Sequence, residues 1–157
     1  MEKNIKLEEM EYKEKRGEYP VLSFGEHKGR HFFIVSVGGE WPAAYVEAKS
    51  GEDRDSVEAL FNGKAFPHGG LTFGPEDLLH LKDARPGADI EEDILALKYW
   101  GWDYGHLYDY CTWKGDPEYS VLMRPEDLGA KHTVDEIYEE DVIPFIDLME
   151  EKSTGKI

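Results

Sequence analysis

Three consecutive runs of β-branched and aromatic residues constrain the fold of this chain more than any other feature. They are Tyr19–Phe24, Arg30–Val37 and Trp41–Ala48, and glycine-containing turns separate them. Runs of this composition joined by short turns are typical of antiparallel strands. We therefore predict a three-stranded meander at the start of the folded domain.

Further along the chain, the pattern predicts shorter elements. A helix is predicted over Asp55–Phe61 and a strand over Leu71–Phe73. The apolar run Ile94–Trp100 is interpreted as a central strand, with a buried helical turn as the alternative. Glu118–Met123 is a further strand candidate for which a helix is also open.

The last element is predicted to be a long helix. Thr133 and Glu136 have the spacing of a capping box, and apolar residues follow at helical spacing as far as Met149. Pro144 should kink or break this helix near its middle. Its outer face is acidic, with Asp135, Glu139, Glu140, Asp147, Glu150 and Glu151.

Together these elements predict the α+β class, with a single mostly antiparallel sheet packed against the long C-terminal helix. The predicted organisation is a charged arm or short helix over residues 1–18, one α+β domain over residues 19–152, and a tail over residues 153–157.

Charge and composition narrow the classes of function. The chain has 34 acidic and 18 basic side chains and a formal net charge of −16. An anionic surface repels nucleic-acid phosphates and anionic lipid, so neither is a predicted partner. The single cysteine and the lack of an apolar stretch near the ~20 residues of a membrane span indicate a cytoplasmic protein. No cofactor motif or metal-ligand spacing is present, so we assign neither.

One candidate site is the segment His68–Thr72. Gly69 and Gly70 permit positive φ and close approach of a ligand, and successive amides in such a turn can bind an anion. His68 and Thr72 would add side-chain donors or acceptors on either side. The alternative is a tight turn that leads into a strand.

A second candidate lies within Tyr99–Trp113, which contains seven aromatic residues. Trp102 and its neighbours could stack on a planar ligand. Asp103, His106 and Asp109 recur at every third residue, so a carboxylate could orient the imidazole for proton transfer. The alternative is a core strand packed with aromatic side chains, whose turn is held by hydrogen bonds of Asp103.

A small basic segment, Lys28 to Arg30, interrupts the acidic sequence. We interpret it as a solvated hairpin turn, with a contact to phosphate as the alternative.

The two candidate segments together resemble an uncharacterised family of small proteins encoded by phages and bacterial mobile elements. Its members carry His-Gly-Gly-Leu-Thr and, later, Gly-aromatic-Asp-x-x-His-x-x-Asp, which match His68–Thr72 and Gly101–Asp109 here. This chain departs from the pattern in its long acidic stretch Gly74–Asp93, and in Gly105 where Ala or Cys is common. The resemblance implies that both motifs converge on one site, and that the protein acts in an anti-defence setting.

Three functions are carried forward from the sequence. The first is binding of a small, nucleotide-like ligand, such as a host signalling nucleotide that the protein would sequester. The second is a hydrolase in which His106 is the general acid or base, Asp109 orients it, and Asp103 or His68 is a second acid or a metal ligand. The third is an acidic inhibitor or nucleic-acid mimic, and a homo-oligomer is left open. The residues assigned to ligand binding are His68, Gly69, Gly70, Thr72, Trp102, Asp103, His106 and Asp109.

Overall fold

The computed structural model describes residues 21–37, 41–61, 66–81, 90–105 and 132–153. The predicted arm at residues 1–18, the strand candidate at 118–123 and residues 154–157 of the predicted tail lie outside these ranges.

The described residues form one antiparallel sheet of five strands in the order β1-β2-β3-β5-β4. The strands are β1 Val21–His27, β2 Arg30–Val37, β3 Trp41–Glu47, β4 Phe73–Glu76 and β5 Tyr99–Asp103. The predicted meander is confirmed, and it forms one side of the sheet. With the C-terminal helix, the chain is α+β, as predicted.

The turn between β1 and β2 is shorter than the sequence indicates. β1 continues to His27, and only Lys28 and Gly29 form the turn, at φ +48° and +81°. Two residues with positive φ match the right-handed twist of the strands they join. As a result Arg30 is the first residue of β2 and not part of a solvated loop.

Three helices and one short 3₁₀ turn complete the described structure. They are α1 Arg54–Ala59, a 3₁₀ turn Leu79–Leu81, α2 Glu92–Leu95, and a C-terminal helix made of α3 Val134–Ile137, a π-helical segment Tyr138–Val142 and α4 Ile143–Ser153. The predicted helix over Asp55–Phe61 corresponds to α1, one residue earlier at its start.

The predicted strand over Ile94–Trp100 begins too early. Residues 92–95 form α2 instead, and β5 starts at Tyr99. Leu95 is 1% exposed and lies in the core beside Tyr99, whose hydroxyl donates to the Ile94 carbonyl at 2.7 Å. The apolar run therefore contributes a buried helical turn followed by a strand.

The C-terminal helix begins where the capping box predicts. The Thr133 side chain accepts from the Glu136 amide at 3.1 Å. The helix does not end at Pro144. Instead, a π-helical segment directly precedes this region, and in it the Ile143 amide donates to the Tyr138 carbonyl. Proline lacks an amide and its ring crowds the preceding turn, and the wider segment accommodates both without ending the helix.

The sheet separates two hydrophobic cores. One lies under the C-terminal helix and α1, with Phe32, Ile34, Trp100, Trp102, Phe145 and Met149 among its buried residues. The other lies under the 3₁₀ turn and α2, with Phe33, Val35, Leu78, Leu81, Leu95 and Tyr99. Successive residues of a strand face opposite sides of a sheet, so β2 and β5 supply both cores.

A fully buried arginine links the sheet to the C-terminal helix. The side chain of Arg30 is 0% exposed. Its Nε donates to Glu150 of α4 at 2.7 Å, and its Nη atoms donate to Glu52 at 2.5 and 3.1 Å and to the Glu47 carbonyl at 2.9 Å. The solvated turn predicted for this segment is therefore wrong for Arg30, which lies on the inner face of β2.

The carboxylate of Glu52 is held in its charged form. Burial by itself raises the pKa of Glu52, but hydrogen bonds from Arg30, the Trp100 indole and the Lys49 amide outweigh burial and hold that pKa below its usual range. Charged partners with several hydrogen bonds are the condition under which a buried ion pair is tolerated. The Arg30 cluster, meaning Arg30, Glu52 and Glu150, satisfies that condition.

Replacing Arg30 should strongly destabilise the fold. Arg30→Met leaves Glu52 and Glu150 without their buried counter-ion, so the free energy of unfolding should fall by about 3–5 kcal/mol. Lys28→Met is the matched control, because Lys28 pairs with Asp147 of the same helix but its side chain is 52% exposed. The loss of unfolding free energy in Lys28→Met should be far smaller. Equal losses in urea unfolding of the two variants would contradict the dominant role of Arg30.

Gly74 provides a second test, this time of β4. Its φ is +104°, and an added Cβ would lie 2.0 Å from the Tyr99 carbonyl oxygen of β5. Gly51 also has positive φ, at +88°, but no atom lies within 4 Å of its added Cβ. Gly74→Ala should therefore lower the midpoint of thermal unfolding much more than Gly51→Ala, which adds only backbone strain of about 1 kcal/mol. Similar midpoints would show that β4 does not approach β5 this closely.

Candidate functional site

Three aromatic rings meet at the end of β5 next to the C-terminal helix. The rings of His68 and Tyr104 are stacked, with centroids 4.2 Å apart and planes 23° apart. His132 lies edge-on to His68 at 4.8 Å and tilted to Tyr104 at 5.0 Å. The cluster brings together segments that are far apart in the sequence.

Hydrogen bonds fix Tyr104 between the sheet and the helix. Its hydroxyl donates to the Asp141 carboxylate and accepts from the Trp102 indole N–H at 3.1 Å. Tyr104 is 1% exposed, so its position is set by the core around it. Asp141 belongs to the π-helical segment, a kind of irregularity that often occurs at functional sites.

A cavity of about 240 Å³ opens beside these rings. It is lined by His68, Tyr104, His132, Glu136, Ile137, Glu140 and Asp141. We call it the imidazole cavity. Three carboxyl groups and two imidazoles make its wall rich in hydrogen-bond acceptors and negative in potential. Such a wall favours a ligand that donates hydrogen bonds or carries positive charge, and it repels phosphate.

The glycine pair after His68 has the predicted positive φ, +85° at Gly69 and +96° at Gly70. The Gly70 amide donates to the Pro67 carbonyl at 2.6 Å, and the Thr72 amide donates to the Gly101 carbonyl at 2.9 Å. These two amides are used within the fold, so they do not form the predicted anion-binding turn. The tight-turn alternative describes this segment.

The two sequence motifs do meet, but away from the imidazole cavity. Thr72 Oγ1 donates to Asp103 Oδ2 at 3.3 Å, and Asp103 Oδ1 accepts from the Gly105 amide at 2.9 Å. Alternation along β5 puts Asp103 on the opposite face of the sheet from Trp100 and Trp102. His68 therefore contacts Tyr104 whereas Asp103 contacts Thr72, and a site shared by His68 and Asp103 stays a prediction.

Trp102 does not have the position that base stacking requires. It is 1% exposed and packs against Phe145 of α4, with ring centroids 5.3 Å apart. Its indole N–H reaches the site only through Tyr104. The structure thus makes Trp102 a core residue that supports the cavity from behind, because even-numbered residues of β5 face the C-terminal helix.

His106 and Asp109 lie outside the described residues. The hydrolase alternative depends on both, so it stays a prediction. Within the described part of the chain, no group of three or more His, Cys, Asp or Glu side chains is placed to hold a metal ion. No described helix has the length and apolar character needed to cross a bilayer.

Sequence reasoning missed the helix side of the cavity. His132 precedes the Thr133 cap, and Glu136 and Glu140 follow on one helical face at a spacing of four. The spacing of four predicts that Glu136 and Glu140 share one acidic face of the helix. What the pattern could not show is that this face lies against Tyr104 and His68.

Comparisons with models of protein families, with curated proteins and with solved structures each found no match. The resemblance to the phage and mobile-element family therefore stays a prediction based on the two motifs.

Removing the Tyr104 hydroxyl should destabilise the site while keeping its rings. Tyr104→Phe leaves the buried Trp102 N–H and the Asp141 carboxylate without this partner, and should lower the free energy of unfolding by about 1–3 kcal/mol. Asp141→Asn retains an oxygen acceptor for Tyr104 and should cost less. Chemical unfolding of both variants checks this, and no loss in Tyr104→Phe would argue against the bridge.

Proposed function

We propose that the protein binds a small planar ligand with a nucleobase-like edge in the imidazole cavity. The observation that carries the proposal is the arrangement of two imidazoles and Tyr104 against three carboxyl groups around about 240 Å³. No element of the site requires the ligand to be chemically changed, so the proposed activity is binding.

The chemistry of the wall fits such a ligand in two respects. The rings of His68 and His132 are half-buried, and imidazole rings are surfaces on which nucleobases stack. Carboxylates such as Glu136 and Glu140 accept hydrogen bonds from ring and exocyclic amino groups. The cavity is also smaller than the roughly 300–1,000 Å³ of sites for drug-sized ligands, which favours a ligand of the size of a single base.

Phosphates would have to lie outside the cavity. Glu136, Glu140 and Asp141 repel them, and the Gly70 and Thr72 amides already donate within the fold. We therefore extend the proposal to a nucleoside or nucleotide only through its base. In the phage or mobile-element setting that the resemblance implies, binding of this kind would sequester a host signalling nucleotide.

The acidic-interaction alternative has less support. The prediction that Asp147 and Glu150 lie on the outer face of the C-terminal helix is wrong, because both contact the β1–β2 hairpin. Asp147 pairs with His27 at 2.9 Å and Lys28 at 2.8 Å, and Glu150 pairs with Arg30 at 2.7 Å. Hydrogen bonds from Lys28 and His27 hold the pKa of Asp147 below its usual range. The carboxylates of Asp147 and Glu150 therefore hold the helix on the sheet, and a basic partner would have to compete with these ion pairs.

Isothermal titration with a panel of nucleobases and nucleosides tests the proposal. For a ligand that binds, Glu140→Gln should raise Kd at least about tenfold, since a hydrogen bond to a charged group is worth about 1.5–3 kcal/mol. Glu139→Gln is the control, because Glu139 is exposed on the same helical segment but does not line the cavity.

Other outcomes would contradict the proposal. If no member of the panel binds, or if both variants weaken binding equally, the imidazole cavity is not the site. If mass spectrometry of the recovered ligand shows a product, binding without turnover is wrong and the hydrolase alternative takes its place.

A further inference from the structure

A second cavity, of about 310 Å³, lies on the opposite face of the sheet. Its walls are Phe24 of β1, Phe33 of β2, Ile94 of α2 and Ile90, which precedes α2. The two phenylalanine rings are stacked, with centroids 6.2 Å apart. Phe24, Ile90 and Ile94 are only half-buried, so the cavity presents aromatic and aliphatic surface to solvent. We call it the phenylalanine cavity.

The rim of the phenylalanine cavity is charged. Glu26 and His31 stand on the strand side, and Glu91 stands at the start of α2. Glu91 is exposed, and its side chain makes no capping hydrogen bond to the helix. Glu26 is 57% exposed. The exposed carboxylates of Glu26 and Glu91 thus border the apolar surface of the cavity.

His31 is held in place by contacts with two carboxylates and does not contact Glu91. Its Nδ1 lies 2.8 Å from Glu47 Oε1, its Nε2 lies 3.3 Å from Glu26 Oε2, and its amide donates to Glu47 at 3.1 Å. The imidazole is therefore shared between two carboxylates. Glu91 lies outside this set of contacts and can face a ligand.

We propose that the phenylalanine cavity binds a small hydrophobic cation, such as an arylalkylamine. The apolar group would lie against Ile90 and Ile94, and the ammonium group would lie between Glu91 and the face of Phe24. A cation over an aromatic face is stabilised by the charge distribution of the ring, and the net charge of −16 raises the local concentration of cations. An anion of the same shape lacks both contributions.

This inference is independent of the proposed function. The walls of the phenylalanine cavity belong to the core under α2, and the imidazole cavity borders the core under the C-terminal helix. A variant in one cavity should leave ligand binding in the other unchanged.

The experiment is an NMR titration of the ¹⁵N-labelled protein with 2-phenylethylamine, and separately with 3-phenylpropionate and 2-phenylethanol. We expect saturable shifts of the Phe24, Phe33 and Ile94 amides with the amine, weaker binding at higher salt, and no saturation with the carboxylate. Glu91→Gln should raise Kd for the amine about threefold to fivefold, as for an exposed ion pair. Glu92→Gln is the matched control, since Glu92 is exposed and adjacent but does not line the cavity.

Four results would overturn the inference. Equal binding of the amine, the alcohol and the carboxylate would mean that apolar contact alone determines the ligand. Equal effects of the Glu91 and Glu92 variants would mean that the overall charge, and not the rim, attracts the amine. Shifts confined to the imidazole cavity would place the amine there. No shift with any probe would show that the phenylalanine cavity does not bind small hydrophobic cations.

Discussion

The Arg30 cluster is the interaction on which the rest of the structure depends. A guanidinium with 0% exposure must be neutralised, and Glu52 and Glu150 are the carboxylates that do so. Because Glu150 belongs to α4, this requirement fixes the C-terminal helix on the sheet, and the pairing of Asp147 with His27 adds a second point on the same hairpin. The imidazole cavity depends on that docking, since its carboxylates lie earlier on the same helix.

Alternation along the strands explains why one small sheet borders two different cavities. Directly after β5, Tyr104 faces the C-terminal helix and its hydroxyl lies at a polar site, whereas Asp103, the last residue of β5, faces the other way and bonds to Thr72. On β2, Arg30 faces the helix and His31 faces the opposite side. Each strand therefore contributes neighbouring residues to unrelated surroundings, and the chemistry of the two cavities can differ independently.

Local features of the sequence predicted local features of the structure. The meander and the Thr133 cap depend on residues within a few positions of one another, and both are confirmed. The predicted turn is wrong for Arg30 because the partners of Arg30 lie 22 and 120 residues away, whereas its neighbours Lys28 and Gly29 have the composition of a turn. The same limit explains the site. Nothing near His68 in sequence indicates His132, and the motif that links His68 to Asp103 gives no information about which face each residue takes.

The positions of individual carboxylates explain more about the acidic excess of the chain than its net charge does. Glu47, Glu52, Asp141, Asp147 and Glu150 each accept hydrogen bonds from side chains of other elements, so part of the charge holds the fold together. Glu140 and Glu91 are different, because each is exposed at the edge of a cavity. A carboxylate next to low-dielectric walls acts on a ligand more strongly than one on an open surface. The charges that matter for recognition are therefore these few, and both cavities should select against anions even though their walls differ.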